Sequence, residues 1–323
     1  MALLSRQPAV PAAFLSPKGR VLCDGLLISR EPNEILVDCH TTAAKSLLRL
    51  LLRHKLRLPL KIEDVSSSYS VMALLPQGVL PSSQQTVGSG APDGFFPDPR
   101  FSALGHRAIL EADVASALAG EADEAASFAA YHSWRLCCAV PEGPVDLPVD
   151  SMLPLHGNLD LLGFISFTKG CYVGQELTTR TKHRGAVRRR FFSAVAAGRG
   201  SDPKTVLDGL QLEPSNPLPV TLLRDLHGVL PGVQPHLCGS EGPPAPEQQE
   251  RAVTICRPGD DKNDTVGTLH STVGSVGLCM VRSETAYNTA DTFKNLPFPT
   301  GSRLSAAGGS IPLALRPPPY AFL

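Results

Sequence analysis

The chain reads FTKGCYVGQELTTR from residue 167 to residue 180, and this stretch brings together a thiol, two glycines, an amide, a carboxylate and two cations. Glycine adopts backbone angles that other residues avoid, so Gly170 and Gly174 predict bends on either side of Cys171. The residues after the second bend predict a helical turn over 175–180. On that turn Glu176 and Arg180 are four residues apart, and we expect them to pair.

Cys171 has two cations near it in sequence, Lys169 and Arg180. Positive charge favours a thiolate over a thiol, so this residue is a candidate for a reactive or metal-binding cysteine. The alternative is structural, because free cysteines are among the most buried residues and often serve as small apolar side chains. The first interpretation needs an accessible sulfur and the second a buried one.

The run Lys169-Gly170-Cys171-Tyr172-Val173-Gly174-Gln175-Glu176 resembles the signature of the YgfZ-type iron–sulfur cluster assembly factors. That family is related in fold to the T-protein (aminomethyltransferase) of the glycine cleavage system. The similarity covers residues 131–192 and 264–284, and more loosely 15–28. It implies an α+β fold, with a folate-binding-type body and a small C-terminal β-barrel.

The resemblance also implies a function: assembly of [4Fe-4S] proteins in the mitochondrial matrix, together with A-type iron–sulfur carrier proteins. Cys171 would be the key thiol, either as a ligand of a cluster shared with the partner or as a redox group. Tetrahydrofolate is the small ligand that the fold suggests. The residues matched to a catalytic role are Cys171, Lys169 and Asp24, and those matched to cofactor binding are Asn158, Gly170, Tyr172, Gln175, Glu176, Arg180 and Arg184.

The chain departs from the family's pattern in three places. Family members carry a strand and a helix ahead of the hairpin at residues 14–22, so we expect the first domain to be incomplete at its N-terminus. His156 stands where an acid or amide is usual, and imidazole cannot form the paired hydrogen bonds that a carboxylate makes with a pterin ring. Asp24 follows Cys23 where the T-protein has two adjacent acids. A lone Asp24 can still move a proton, but aminomethyl transfer is not supported.

Composition sets broad limits. The 323 residues suffice for two or three domains, and the formal net charge is zero, so the whole chain has no electrostatic attraction to nucleic acid or membranes. No apolar run approaches the roughly 20 residues that span a bilayer. Eight cysteines lie at irregular spacings without a CxxC pair, which favours a reducing compartment over a disulfide framework. The adjacent Cys137 and Cys138 are expected in a core or interface.

Hydrophobic periodicity predicts the elements. In chain order, we expect a β-hairpin turning at 17–19, strands over 35–39, 65–75, 191–197 and 253–255, helices over about 42–53 and 110–136, two strands over 265–282, and a proline-rich tail at 317–319. In the first helix, capped by Thr41 or Thr42, four leucines should be buried (Leu47, Leu48, Leu51 and Leu52) and three cations exposed (Lys45, Arg49 and Arg53). We expect one domain over 1–190, with a loop insertion at about 76–100, and a second over 191–323, with a proline-rich insertion at about 201–250.

Residues 169–190 contain seven lysines and arginines but one acid. Such a local surplus suits an acidic ligand, although an exposed run of charge without a partner would look the same. Two further functions stay open at this point. A T-protein-like body suits a tetrahydrofolate-dependent aminomethyl or one-carbon transferase. RNA binding is disfavoured, because no aromatic stacking platform accompanies the basic run.

Overall fold

The computed structural model describes residues 7–31, 33–75, 93–119, 124–196, 254–256, 265–273, 276–282, 303–306 and 309–322. The chain forms two compact units. The first comprises Met1–Leu74, Thr86–Ala122 and Glu142–His183, and the second comprises Leu75–Gln85, Asp123–Pro141 and Arg184–Leu323. The expected domain boundary at residue 190 stays a prediction. The predicted insertion at 201–250 lies outside the described residues, as does most of the one at 76–100.

Twelve strands and five helices are described. In chain order they are β1 (Ala9–Leu15), β2 (Val21–Glu31), β3 (Glu34–Cys39), α1 (Thr41–His54), β4 (Tyr69–Leu74), β5 (Phe96–Pro97), β6 (His106–Glu111), α2 (Ala112–Ala119), α3 (Glu124–Cys137), α4 (Gly143–Asp146), α5 (Gln175–Arg184), β7 (Arg189–Ala196), β8 (Thr254–Cys256), β9 (Thr265–Val273), β10 (Val276–Arg282), β11 (Arg303–Ala306) and β12 (Gly309–Arg316). Antiparallel sheets and separate helices make this an α+β protein, as expected.

The first unit contains two three-stranded antiparallel sheets, ordered β1-β2-β3 and β4-β6-β5. The hairpin between β1 and β2 turns where the sequence predicted it, with Gly19 at φ +71° and its amide donating to the Ser16 carbonyl at 2.8 Å. Ala9, Leu26 and Ile28 of the first sheet form an apolar cluster with Phe96, against which Ile109 of the second sheet packs. This cluster joins the two sheets.

Helix α1 begins at Thr41, but its N-cap is His40 and not either threonine. The His40 imidazole Nδ1 accepts a hydrogen bond from the Thr42 amide at 3.3 Å. The predicted apolar face is only partly buried, since Leu47 is buried while Leu52 is 43% exposed. The predicted basic stripe lies in solvent, as expected.

The helix predicted over 110–136 was wrong in extent. Its first two residues, Leu110 and Glu111, belong to β6 instead, because β6 pairs with β4 from His106 to Glu111. The later residues that the structure describes lie in α2 and α3. The strand predicted over 65–75 begins only at Tyr69, since a turn closed by the Ser68 amide and the Val65 carbonyl precedes it.

In the second unit, six strands pair in the order β10-β7-β12-β11-β8-β9 and close into a barrel. Phe191, Phe192 and Leu278 are fully buried side chains of these strands. Helix α3 packs against β7, β9 and β10. Cys137 and Cys138 at its end are buried, as expected.

The proline-rich tail predicted at 317–319 was wrong. Residues Pro319–Phe322 form a 3₁₀ turn in which Tyr320 is buried. The Tyr320 hydroxyl donates to the Ala139 carbonyl at 2.6 Å, which fixes the C-terminal turn to the end of α3. Among the helices of the described ranges, none has the length and hydropathy of a membrane-crossing segment.

Candidate functional site

Cys171 is exposed. It lies on an irregular segment, residues 167–174, that leads directly into α5; we call this segment the cysteine loop. The structural interpretation of Cys171 as a buried core side chain is therefore wrong, and its sulfur is accessible to another molecule. Its chemical role stays a prediction at this point.

Gly174 joins the cysteine loop to the hairpin of the first sheet. Its φ of +81° is a conformation that side chains disfavour. A Cβ at this position would lie 2.7 Å from the Ser16 carbonyl oxygen and 2.9 Å from the Cα of Gly19. The two backbones approach so closely only because both residues are glycines. A Cβ at Gly170, in contrast, would have no atom of another part of the described structure within 4 Å. Steric crowding therefore does not explain why a glycine precedes Cys171.

The side chains next to Cys171 hold one another in place. The Lys169 ammonium lies 4.9 Å from the centre of the Tyr172 ring, a cation–π contact. The Tyr172 amide donates to the Gln175 side-chain oxygen at 3.3 Å, which ties the loop to the first turn of α5. Burial raises the pKa of the Tyr172 phenol, partly offset by the neighbouring Thr179 hydroxyl.

The far end of α5 is fixed to the segment before the loop. The Lys182 ammonium pairs with the Asp160 carboxylate at 2.9 Å, and the Asp160 side chain is fully buried. Phe167 contacts the same end of the helix, with the Lys182 ammonium 5.6 Å and the His183 ring 5.7 Å from its ring centre. Contacts at both ends of the 167–184 segment therefore position Cys171.

Charged residues follow Cys171 in sequence along α5. Glu176, Arg180 and Arg184 are exposed on α5. The predicted pair between Glu176 and Arg180 is not formed, since no ion pair joins these two described side chains. The basic run is also less exposed than expected, because Arg190 is 1% exposed.

Asp24 lies elsewhere in the first unit. It lines a cavity of about 80 Å³ with residues from β2, β3 and other segments: Gly25, Leu26, Asp38, Cys39, His40, Arg100, Arg107, Glu142 and Phe164. Both Asp24 carboxylate oxygens accept from the Gly143 amide, at 3.1 and 3.2 Å. Burial, and then the nearby Glu142 carboxylate, raise the pKa of Asp24 to about 6.

The cavity wall is a network of buried ion pairs. Arg100 binds both carboxylate oxygens of Asp98, at 2.7 and 2.9 Å, and also contacts Glu142. Arg107 pairs with Asp38 at 2.8 Å. No sequence pattern indicated this cluster, because its members come from separate segments with no common spacing. The sequence feature that could have indicated the cluster is a charged residue inside an apolar strand, such as Arg107 in β6.

The candidate residues thus fall into separate places. The candidates from Lys169 to Arg184 lie along the cysteine loop and α5. Asp24 lines the cavity, and none of the other candidates is among the described residues of the cavity wall. Asn158 is buried in a turn at φ +60°, and its carbonyl accepts from the Leu161 and Leu162 amides. Within the described ranges, no group of three or more His, Cys, Asp or Glu side chains has a geometry that could hold a metal ion.

Comparisons with curated proteins give relatives with one shared description. The chain is 30% identical to the "Iron-sulfur cluster assembly factor IBA57 homolog, mitochondrial" of Mycosarcoma maydis over 297 residues, which cover 90% of this chain and 67% of that protein. It is 30% identical to the Mus musculus IBA57 protein over 292 residues, 86% of this chain and 67% of the relative. The Homo sapiens protein is 34% identical over 192 residues, 56% of this chain and 52% of the relative.

Among solved structures, the glycine cleavage system aminomethyltransferase T from Bartonella henselae aligns with 98% of this chain and 76% of its own. The TM-score is 0.49 and the sequence identity 12%. No protein-family model matches the chain.

Proposed function

The chain belongs to the IBA57 family of mitochondrial iron–sulfur cluster assembly factors, and on this premise we propose that it assists the maturation of [4Fe-4S] proteins in the mitochondrial matrix. The signature at residues 169–176 predicted this family. Within the assembly role, we assign the working group to Cys171 and the partner to an A-type iron–sulfur carrier protein.

One observation carries the assignment of Cys171: its thiol is exposed at the surface on a loop that is fixed at both ends. A thiolate is the natural ligand of iron in such clusters, and a [4Fe-4S] cluster needs several ligands. Cys171 supplies one, so the partner supplies the others. The cluster is then cargo held between two proteins. It is released when the bonds between its iron atoms and the ligands of either protein break.

The neighbouring charges support docking of an acidic partner surface. Lys169, Arg180 and Arg184 are exposed on the cysteine loop and α5, with Glu176 as the one acid of these two elements. The positive charge of these two elements also suits a negatively charged cluster. The Lys169–Tyr172 contact fixes one of these cations on the cysteine loop, two residues from Cys171 in sequence.

Anaerobic reconstitution tests the role of Cys171. The protein and an A-type carrier are mixed with iron and sulfide under reducing conditions, the complex is isolated, and cluster absorbance is measured per mole of complex. We expect Cys171→Ala to lose most of the cluster while Val173→Ala, on the same loop, keeps it. Equal cluster content in wild type and Cys171→Ala would remove the ligand role.

Tetrahydrofolate, which the resemblance implied, does not fit the cavity that the described residues form. That cavity of about 80 Å³ is well below the roughly 300–1,000 Å³ of sites for drug-sized ligands, and paired charges line it. His156 is not among its lining residues, and an imidazole does not replace the carboxylate that holds a pterin. We therefore propose no folate-dependent step at the cavity beside Asp24. Calorimetric titration with tetrahydrofolate checks this, with no binding heat expected.

A further inference from the structure

A second pair of thiols lies in the first unit, apart from Cys171. Cys23 is on β2 and Cys39 ends β3, and these two strands are hydrogen-bonded neighbours. The proposed assembly role uses neither residue. Cys39 is partly exposed and lines the cavity beside Asp24, whereas Cys23 is buried behind it.

The strand register places the two side chains at diagonal positions on one face of the sheet. Gly25 is the cross-strand partner of Cys39, and the Cβ position of Gly25 lies 3.5 Å from the Cys39 Cβ. Because side chains alternate along a strand, Cys23 shares the face of β2 on which a side chain at position 25 would lie. Gly25 has no side chain, so nothing at that position separates the two sulfurs.

The electrostatic environment of the pair is asymmetric. The nearby Cys39 thiol, followed by burial, raises the pKa of the Cys23 thiol. The Cys23 thiol in turn lowers the pKa of Cys39. In the structure the Cys23 thiol donates a hydrogen bond to the Asp24 carbonyl at 3.0 Å. Cys39 is also the accessible member of the pair, since it is partly exposed and lines the cavity while Cys23 is buried, so it is suited to be the attacking thiolate and Cys23 the thiol that follows.

We propose that Cys23 and Cys39 form a redox-active dithiol that hydrogen peroxide oxidises to a disulfide and that a dithiol reductant restores. The Cys39 thiolate attacks one peroxide oxygen, the O–O bond breaks, and the released hydroxide takes a proton to become water. Cys39 is now a sulfenic acid. The Cys23 sulfur then attacks the Cys39 sulfur, the S–O bond breaks, and the Cys23 proton leaves with the hydroxyl as a second water. Two thiols are oxidised and one peroxide is reduced.

Peptide mapping of the full-length chain tests this dithiol. The reduced protein, in a Cys171→Ala background that removes the exposed thiol, is treated with equimolar hydrogen peroxide, denatured and alkylated. We expect a linked peptide containing Cys23 and Cys39, lighter by two hydrogen masses, that dithiothreitol separates again. The buried Cys137 and Cys138 are internal controls that stay alkylated.

Two single substitutions assign the roles within the pair. In Cys23→Ser, Cys39 should be trapped as a sulfenic acid by dimedone, and in Cys39→Ser, Cys23 should stay alkylated. The proposal is overturned if peroxide leaves both thiols alkylated, takes Cys39 to a sulfinic acid without a linked peptide, or joins Cys39 to a different cysteine. The peptide mapping does not depend on the substitutions of Cys23 and Cys39, and because Cys171 is absent from it, its outcome is independent of the role of Cys171.

Discussion

At the scale of single residues, Gly174 determines where the cysteine loop lies. Gly174→Ala would place a Cβ 2.7 Å from the Ser16 carbonyl oxygen at a φ of +81°. Strain in the left-handed region and the steric overlap add, so we expect a loss of about 2–4 kcal/mol in the free energy of unfolding. Urea denaturation measures this loss.

Gly170→Ala is the matched control, because no atom lies within 4 Å of its built Cβ. We expect a change within about 0.5 kcal/mol, as for ordinary surface substitutions. Equal destabilisation by the two variants would show that the contact with the hairpin does not fix the loop.

Asp24 makes stability depend on pH. Its pKa is raised to about 6, so the folded chain holds this proton more tightly than the unfolded chain. The resulting stabilisation is present at low pH and is lost as pH rises from about 4 through about 6. Asp24→Asn removes this dependence. From about pH 4 to about pH 7, the variant should therefore gain about 2–3 kcal/mol relative to wild type.

Denaturation curves of both proteins across this pH range test the prediction. A difference in unfolding free energy that stays constant with pH would contradict a raised Asp24 pKa. The sequence singled out Asp24 through family resemblance, but the cause of its shift is burial beside Glu142, a residue more than a hundred positions away. No local pattern shows such a contact.

At the scale of elements, α5 is held by the pair between Lys182 and the buried Asp160. Asp160→Asn keeps the shape of the side chain but removes its charge, leaving the Lys182 ammonium without its carboxylate. Because Lys182 is one-third exposed, solvent compensates part of the loss, and we expect about 1–3 kcal/mol. Hydrogen exchange should then quicken in α5 while β1 and β2 keep their protection. Unchanged exchange in α5 would show that the pair does not anchor the helix.

Elements with strong local signals were predictable from sequence. The first hairpin, β3, α5 and the strands β9 and β10 follow from glycine turns and apolar alternation, which act over a few residues. The extent of β6 was not predictable, because its pairing with β4 lies more than thirty residues away in sequence. The strands β11 and β12 were missed, and the alanines and glycines in and between them give a weak pattern.

At the scale of the whole molecule, the C-terminal turn closes onto the end of α3 within the second unit. Tyr320→Phe keeps the ring but removes the hydroxyl that donates to the buried Ala139 carbonyl. An acceptor left without its donor in a buried site costs about 1–2 kcal/mol. Thermal unfolding measures the change, and an unaltered transition would show that this contact contributes nothing to stability.

The molecule's architecture was only partly visible in the sequence. The family signature indicated the α+β fold and the importance of residues 169–176, since that information is local and specific. The sequence did not show which cysteines are buried. Cys171 is exposed and Cys23 is buried, yet both lie near charged residues in sequence, and only tertiary packing distinguishes the two. The same packing assembles the ion pairs around Asp24 from distant segments.

The central claim, that Cys171 holds one side of a cluster shared with an A-type carrier, is tested most directly by native mass spectrometry of the anaerobically prepared complex. The account predicts a wild-type heterocomplex whose mass includes one [4Fe-4S] cluster, and a Cys171→Ala heterocomplex that lacks it. A Cys171→Ala complex carrying the cluster in the same proportion as wild type would contradict the account.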